Sequence, residues 1–196
     1  MKVLLKSLFL VAALTFSLSS SAQAIFSPGI YSTGEPLKKP LVMKPFVEFS
    51  KARKMPDLKL VDLSGKPVSL KASKGKLVIL NVWATWCTPC IREIPQLQDL
   101  QKTLEGTNIE IIGVSIDKDP AEAANYLKKN KLSGYKTWFD PAQSVDAVMP
   151  MEVVPTNFII DGQGNLVGYL PGYIPWDDAD VLPFLKELEK KYSVSK

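Results

Sequence analysis

Both cysteines of this 196-residue chain lie in one short segment, which limits what the chain can fold into and do. The segment Trp86-Cys87-Thr88-Pro89-Cys90 directly follows an apolar run, Leu77 to Trp83, that is typical of a buried strand. A disulfide stabilises a fold mainly by closing a long loop, and a bridge from Cys87 to Cys90 closes a very short one. We therefore interpret the pair as a redox-active dithiol at a strand-to-helix junction. The alternative is an inert surface disulfide.

The first 24 residues have the pattern of a secretory signal peptide. Lys2 and Lys6 make the start positive, residues 8–18 are mostly apolar, and Ala22-Gln23-Ala24 has the small residues of a cleavage site. The apolar stretch is shorter than the roughly 20 residues that span a bilayer. We expect cleavage after Ala24 and a periplasmic or otherwise exported protein. An uncleaved anchor, which would keep the domain close to the membrane, is the alternative.

The composition removes several classes of chemistry. The chain has no histidine, which excludes Ser-His-Asp and Cys-His catalysis and histidine-ligated zinc or haem. Two cysteines cannot complete a four-ligand zinc site, so we predict no structural metal. The net charge is only +4, and the densest basic group, Lys51, Arg53 and Lys54, is interpreted as part of a solvated linker. We therefore expect no nucleic-acid partner.

The pattern along the chain predicts one α/β domain. Residues 25–55 contain four prolines and little periodicity, which is typical of an extended arm or linker, and the domain is expected over residues 56–196. The predicted elements are a β-hairpin around Ser64-Gly65, strands at 77–83, 109–115 and 136–139, helices at 90–104, 120–130 and 143–148, a second hairpin over 156–170, and a helix from Asp177 or Asp178 to Tyr192. This order predicts a mixed central sheet flanked by helices on both faces, with an N-terminal β-hairpin.

The position of the dithiol at the start of a helix assigns a role to each cysteine. The positive end of the helix dipole and its free N–H groups favour a thiolate, and only the thiolate attacks a disulfide. We predict that Cys87 is the nucleophile and that Cys90, one turn further on, is the resolving thiol that releases the substrate from the mixed disulfide. Pro89 suits the first helical turn, where an N–H has no helical partner.

A family resemblance is carried by the segment 82–90, Glu93, Pro95, Val154-Pro155-Thr156 and Ile160-Asp161-Gly162. The chain resembles the TlpA/ResA-like thiol-disulfide oxidoreductases over residues 56–169. The resemblance implies a thioredoxin fold and an exported or membrane-tethered enzyme that reduces disulfides in other proteins. It also implies the family's usual partners, which are apocytochrome c or copper-site proteins as substrates and a membrane electron donor.

Several site residues follow from the resemblance alone. Pro155 matches the proline that is cis in this fold and faces the dithiol, and Val154 would offer its backbone to an extended substrate segment. Trp86 is expected to cover the dithiol, and Thr88 to tune its potential. The expected substrate-binding set is Trp86, Thr88, Pro89, Val154 and Pro155.

Glu93 matches the acidic residue that the family places near its thiols. Burial raises the pKa of a carboxyl and lets it exchange protons with a cysteine. Many thioredoxins carry a buried aspartate in the strand before the motif, but Asn81 stands at that position here and cannot titrate. The expected catalytic set is therefore Cys87, Cys90 and Glu93, and the alternative for Glu93 is a solvated helix carboxylate.

Different functions with the same motif stay open at this point. Met149 and Met151 could join the two cysteines in binding Cu(I), since soft sulfur ligands select that ion, and the chain would then be a copper-chaperone module. A thiol oxidase or isomerase would use the same dithiol, and a peroxidase is less favoured. We expect no cofactor beyond the dithiol itself.

Overall fold

The computed structural model describes residues 31–148 and 152–193. Within these ranges the strands are β1 (Val47–Lys54), β2 (Leu60–Val61), β3 (Pro67–Val68), β4 (Leu77–Trp83), β5 (Ile109–Ser115), β6 (Thr137–Phe139), β7 (Thr156–Ile160) and β8 (Asn165–Pro171). The α-helices are α1 (Thr88–Thr103), α2 (Pro120–Lys129) and α3 (Val181–Tyr192). Short 3-10 helices span Leu41–Met43, Leu70–Ser73 and Ser144–Ala147.

The aliphatic strand β4 lies in the middle of one sheet, whose order is β1-β8-β7-β4-β5-β6-β2-β3. It runs parallel to β5 and antiparallel to β7. All seven residues of β4 are buried, as expected for a strand that is apolar on both faces. The carboxyl ends of β4 and β5 lie beside the start of β7, where Val82 pairs with Thr156. This edge of the sheet therefore brings the cysteine segment next to Val154-Pro155.

Alternate residues of β4 enter two separate cores. Leu77, Ile79 and Trp83 pack in a core with the buried faces of α1, α2 and α3. The opposite face of the sheet, which carries Val78, Leu80 and Val82, is covered by Val145 and Leu70 of two 3-10 helices, together with Met55 and Leu58. The predicted mixed α/β sheet is confirmed, but all three α-helices pack on one face and 3-10 helices cover the other, where helices were expected on both.

The segment 25–55, predicted as an extended arm, belongs to the fold wherever the structure describes it. β1 pairs antiparallel with β8 and forms one edge of the sheet. Met43 and Phe46 are buried, and the Phe46 ring meets the Phe184 ring of α3 edge-on at 5.7 Å. The predicted boundary near Pro56 is therefore corrected, because the apolar contacts and strand pairing of the domain begin before it.

The predicted signal peptide, residues 1–24, lies outside the described residues. In the two described ranges, no helix combines the length and the apolar character needed to cross a bilayer.

Most other predicted elements are confirmed to within a few residues, with two differences at helices. The helix predicted at 143–148 is the 3-10 helix Ser144–Ala147. The last helix begins at Val181 after Asp180, and not after Asp177 or Asp178. The reason is that the Asp178 carboxylate accepts a hydrogen bond from the Asp180 N–H, which closes a turn before the helix starts.

Candidate active site

The turn from β4 into α1 is fixed by a buried carboxylate that follows β5. Asp117 accepts hydrogen bonds from the Thr85 backbone N–H at 3.1 Å and from its hydroxyl at 2.7 Å. The Ser115 hydroxyl donates to the other carboxylate oxygen at 2.8 Å. Hydrogen bonds to a charged group are roughly twice as strong as neutral ones, so Asp117 holds the residues directly before Cys87 in place. Asp117 is not among the predicted site residues, because its only signal in the sequence is an acidic side chain just after a buried strand.

The two cysteines form a disulfide at the first turn of α1, so the structure represents the oxidised protein. Cys87 is the N-cap of the helix, and its Sγ accepts a hydrogen bond from the Cys90 backbone N–H at 3.2 Å. Pro89 lies in the first turn, as predicted. Cys87 retains 4% of its accessible surface and Cys90 none. The sulfur at the helix tip is thus both the reachable one and the one that receives a helix N–H, which is the arrangement that favours a thiolate.

The loop before β7 faces this sulfur. The Val154–Pro155 peptide bond is cis, as the resemblance predicts. The carbonyl oxygen of Val154 lies 3.5 Å from the Cys87 Sγ. The structure therefore brings Val154 and Pro155 together with the dithiol, across 67 residues of sequence.

The surface around the dithiol is partly apolar and exposed. The Trp86 side chain is 65% exposed and Val153 is 44% exposed, although large apolar side chains are usually buried. Thr88 and Pro89 are also exposed, whereas Cys87 and Cys90 are not. Exposed apolar groups beside a reactive pair are typical of a surface that contacts another protein.

Glu93 lies on α1, three residues after Cys90, so that both side chains point to the same face of the helix. It is fully buried, which excludes a solvated helix carboxylate. Burial raises the pKa of Glu93 from its ordinary value of 4.5 to about 7, against the opposing effect of the hydrogen bonds that it accepts. A carboxyl of this kind changes its protonation near neutral pH, and it lies one turn from the resolving cysteine.

The groups that donate to Glu93 come from two distant parts of the chain. The Asn81 side-chain amide of β4 donates to one carboxylate oxygen at 2.6 Å. The backbone N–H of Ile174 and the indole N–H of Trp176, both between β8 and α3, donate to the other at 3.3 Å. Of these donors, only Asn81 is singled out by the sequence, as a residue that cannot titrate. Nothing in the local sequence links Glu93 to a loop 81 residues away.

The described residues contain no group of three or more histidine, cysteine or carboxylate side chains that could hold a metal ion. Met149 and Met151, the candidate Cu(I) ligands beside the two cysteines, lie outside the described residues.

The sequence is similar to those of known redox proteins. The model of the AhpC/TSA family matches residues 52–168. The thiol-disulfide oxidoreductase ResA of Bacillus cereus (strain ATCC 10987 / NRS 248) is 32% identical over 130 residues, which cover 63% of this chain and 75% of ResA.

Two solved structures are similar to this fold. A thiol:disulfide interchange protein of the thioredoxin family from Chlorobium tepidum TLS is 28% identical, with a TM-score of 0.57 over 68% of this chain and 95% of that one. The pneumococcal exposed lipoprotein thioredoxin Etrx1 from Streptococcus pneumoniae strain TIGR4 is 27% identical, with a TM-score of 0.59 over 67% of this chain and 99% of that one. The predicted thioredoxin fold is thereby confirmed.

Proposed function

We propose that this chain, which belongs to the AhpC/TSA family and is a thiol-disulfide oxidoreductase of the ResA type, reduces disulfides in other proteins outside the cytoplasm. The observation that carries the proposal is the contact geometry of Cys87. Its sulfur accepts a helix N–H at 3.2 Å and faces the Val154 carbonyl at 3.5 Å.

The proposed reaction is two successive thiol-disulfide exchanges. In the reduced protein the Cys87 thiolate attacks one sulfur of the substrate disulfide, which forms a mixed disulfide and expels the other substrate sulfur as a thiolate. Cys90 then attacks the Cys87 sulfur, which restores the internal disulfide and releases the substrate as a dithiol. Two electrons pass to the substrate, and the dithiol is the only redox group required.

Glu93 is proposed as the proton acceptor for the second exchange. Cys90 is fully buried and must lose its proton before it can attack. Glu93 lies one helical turn away, and its pKa of about 7 lets it take a proton and return it near neutral pH. Asn81 holds this carboxylate in place, as described above.

The exposed groups around Cys87 are proposed to bind the substrate. An extended segment on either side of the substrate cysteine would lie along the Val154-Pro155 loop and use its backbone, while Trp86 and Val153 contact its apolar side chains. Thr88 and Pro89, between the cysteines, complete this surface. A surface that relies on backbone and apolar contacts accepts many sequences, provided that the substrate segment is extended.

The proposal also includes the compartment in which the protein acts, its electron donor and its substrates. The signal-peptide pattern of residues 1–24 supports export, and Etrx1 is described as an exposed lipoprotein. In an oxidising compartment a lone dithiol would be driven to the disulfide, so the protein needs a supply of electrons. We therefore propose a membrane protein with its own dithiol as the electron donor, and apocytochrome c or copper-site proteins as substrates.

The decisive experiment traps the substrate. Cys90→Ala should leave partner proteins covalently attached to Cys87 in the exported protein, visible on non-reducing gels and released by a thiol reductant. The matched control, Cys87→Ala, keeps one thiol but should retain no partner. Equal trapping by both variants, or trapping by Cys87→Ala alone, would contradict the assigned order of attack.

The direction of electron flow is tested separately by the reduction potential of the dithiol. A reductase should have a potential near that of thioredoxin, about −270 mV, whereas a value near −120 mV would identify an oxidant and overturn the proposed direction.

A further inference from the structure

A buried set of hydrogen-bonded side chains lies behind the dithiol helix, and it contains more than the carboxyl that the mechanism uses. Its members, here called the Glu93 network, are Glu93, Asn81, Asn157, Tyr135 and Trp176. Each is at most 2% exposed. They come from α1, β4, β7, the turn before β6 and the segment before α3, so the network forms only in the folded domain.

The orientation of the Asn81 amide decides what Glu93 meets. The Tyr135 hydroxyl donates to Asn81 Oδ1 at 2.8 Å. Both N–H groups of Asn81 are thereby left for other acceptors, and they go to Glu93 Oε1 at 2.6 Å and to Asn157 Oδ1 at 2.8 Å. An amide has two donors and one acceptor atom, so every polar group of Asn81 is used in this orientation.

The reversed orientation has a different chemical meaning. If the Asn81 amide were turned over, its oxygen would face Glu93, and that contact is favourable only when the carboxyl is protonated and donates. Asn157 could follow, because its own Nδ2 is buried and has no partner in the present arrangement. The hydroxyl of Tyr135 opposes this reversal, since turning Asn81 over removes its acceptor.

We propose that Tyr135 is a positioning residue that sets the proton affinity of Glu93 by holding the Asn81 amide with its N–H towards the carboxylate. The proton affinity of Glu93 does not depend on the proposed function. Only the consequence does, which is that Tyr135 sets the pH at which Glu93 accepts a proton from Cys90. The Tyr135 hydroxyl donates to Asn81 and makes no hydrogen bond to either cysteine, so it acts through Asn81.

Gly113 of β5 makes the room that the tyrosine needs. A Cβ at residue 113 would lie 2.7 Å from Cε1 of the Tyr135 ring and 2.8 Å from the Thr137 hydroxyl oxygen. A Cβ atom, which cannot hydrogen-bond, does not approach other heavy atoms this closely, so a side chain at this position would displace the ring from Asn81. A glycine in the middle of a buried strand is unfavourable in itself, and the approach of Tyr135 accounts for its presence.

The groups that face Glu93 make its titration simple to follow. On its own helix, the neighbouring Arg92 is exposed and its guanidinium lies over the Tyr173 ring, 4.6 Å from the ring centroid. The two cysteines do not titrate in the disulfide form. The groups facing it from β4, β7 and the segment before α3 are two amides, one backbone N–H and one indole, none of which ionises. From the turn before β6 it faces Tyr135, whose pKa is raised well above 10 by burial and by the charge of Glu93. The carboxyl of Glu93 is therefore the group in this set that changes charge near neutral pH.

The test is a titration of the Glu93 carboxyl carbon by NMR in the oxidised full-length protein, with the signal assigned by its loss in Glu93→Gln. In Tyr135→Phe the midpoint should rise by about one pH unit, a tenfold change in proton affinity, because the amide is free to accept from the protonated acid. Tyr126→Phe is the matched control, since Tyr126 packs on Trp83 at 6.0 Å and makes no hydrogen bond to Glu93 or Asn81. An unchanged midpoint in Tyr135→Phe, or an equal rise in Tyr126→Phe, would overturn the proposal.

A second variant tests the route through Asn81. Asn81→Ala removes the donor and should raise the Glu93 midpoint by itself, and adding Tyr135→Phe to it should have no further effect. If Tyr135→Phe does not fold, an unchanged midpoint in Asn81→Ala is sufficient to refute the inference. The titration needs neither turnover nor a substrate, so failure of the reductase assay and failure of this proposal are separate results.

Discussion

The buried carboxyl of Glu93 should make the stability of the oxidised protein fall as the pH rises through neutrality. An acid whose pKa is higher in the folded than in the unfolded chain binds more protons when folded. The folded state therefore loses stability as the pH rises from the unfolded value towards the folded one. For Glu93 this interval runs from 4.5 to about 7, since desolvation disfavours the charged form in the folded protein.

The size of this effect follows from the width of that interval. At about 1.4 kcal/mol per pH unit, it corresponds to a loss of about 3 kcal/mol in the free energy of unfolding between about pH 4.5 and 8. Few other groups interfere, because the chain has no histidine and the disulfide cysteines do not titrate. Glu48 and Glu110 have lowered pKa values, so their contributions are complete above about pH 5.

The assay is urea denaturation of the oxidised protein at several pH values between 5 and 8. The free energy of unfolding of the wild type should fall over this range by most of the calculated loss. In Glu93→Gln it should be nearly independent of pH. Glu122→Gln is the matched control, because Glu122 is an exposed carboxylate on α2, and it should keep the wild-type slope. A flat wild-type profile, or an unchanged slope in Glu93→Gln, would refute the assignment of a raised pKa to this residue.

Two further substitutions test the turn and the surface around the dithiol. Asp117→Ala should lower the free energy of unfolding by about 2–3 kcal/mol in urea titrations, because it leaves the buried Ser115 hydroxyl and the partly buried donors of Thr85 without an acceptor. The exposed cap substitution Asp119→Ala should lower it by only about 1 kcal/mol, and equal losses would contradict the role of Asp117 in fixing the turn. Trp86→Ala should reduce kcat/KM for a protein disulfide about tenfold, because the exposed indole contacts the protein substrate. The kcat/KM for a small aromatic disulfide should stay within about twofold. Equal losses of kcat/KM with both substrates would mean that the indole does not contact the protein substrate.

The sequence predicted the elements whose signals are local. β4 and β5 were recognised because aliphatic residues occupy both faces of each strand, and only a central strand buries both. The N-cap of α2 was recognised because Asp119 precedes Pro120. The position of Cys87 at the tip of α1 followed from the same kind of pattern.

The parts that escaped prediction depend on contacts between distant residues. β1 pairs with β8, more than 100 residues later, and the prolines before it favoured an unattached arm. The donors of Glu93 include Ile174 and Trp176, whose approach to α1 depends on the path of the chain after β8. Asn81 and Asn157 lie opposite each other in β4 and β7, and this register cannot be read from either strand alone.

The proposed reaction depends on Cys87 being a stabilised, reachable thiolate at the tip of α1 when the protein is reduced. The most direct measurement is the pH dependence of alkylation by iodoacetamide in the reduced protein, with the modified cysteine identified by mass spectrometry. Cys87 should react before Cys90, with its rate half-maximal well below pH 8.5, the midpoint of an ordinary thiol. Preferential modification of Cys90, or a Cys87 rate that rises only at or above about pH 8.5, would show that Cys87 is not the attacking thiolate.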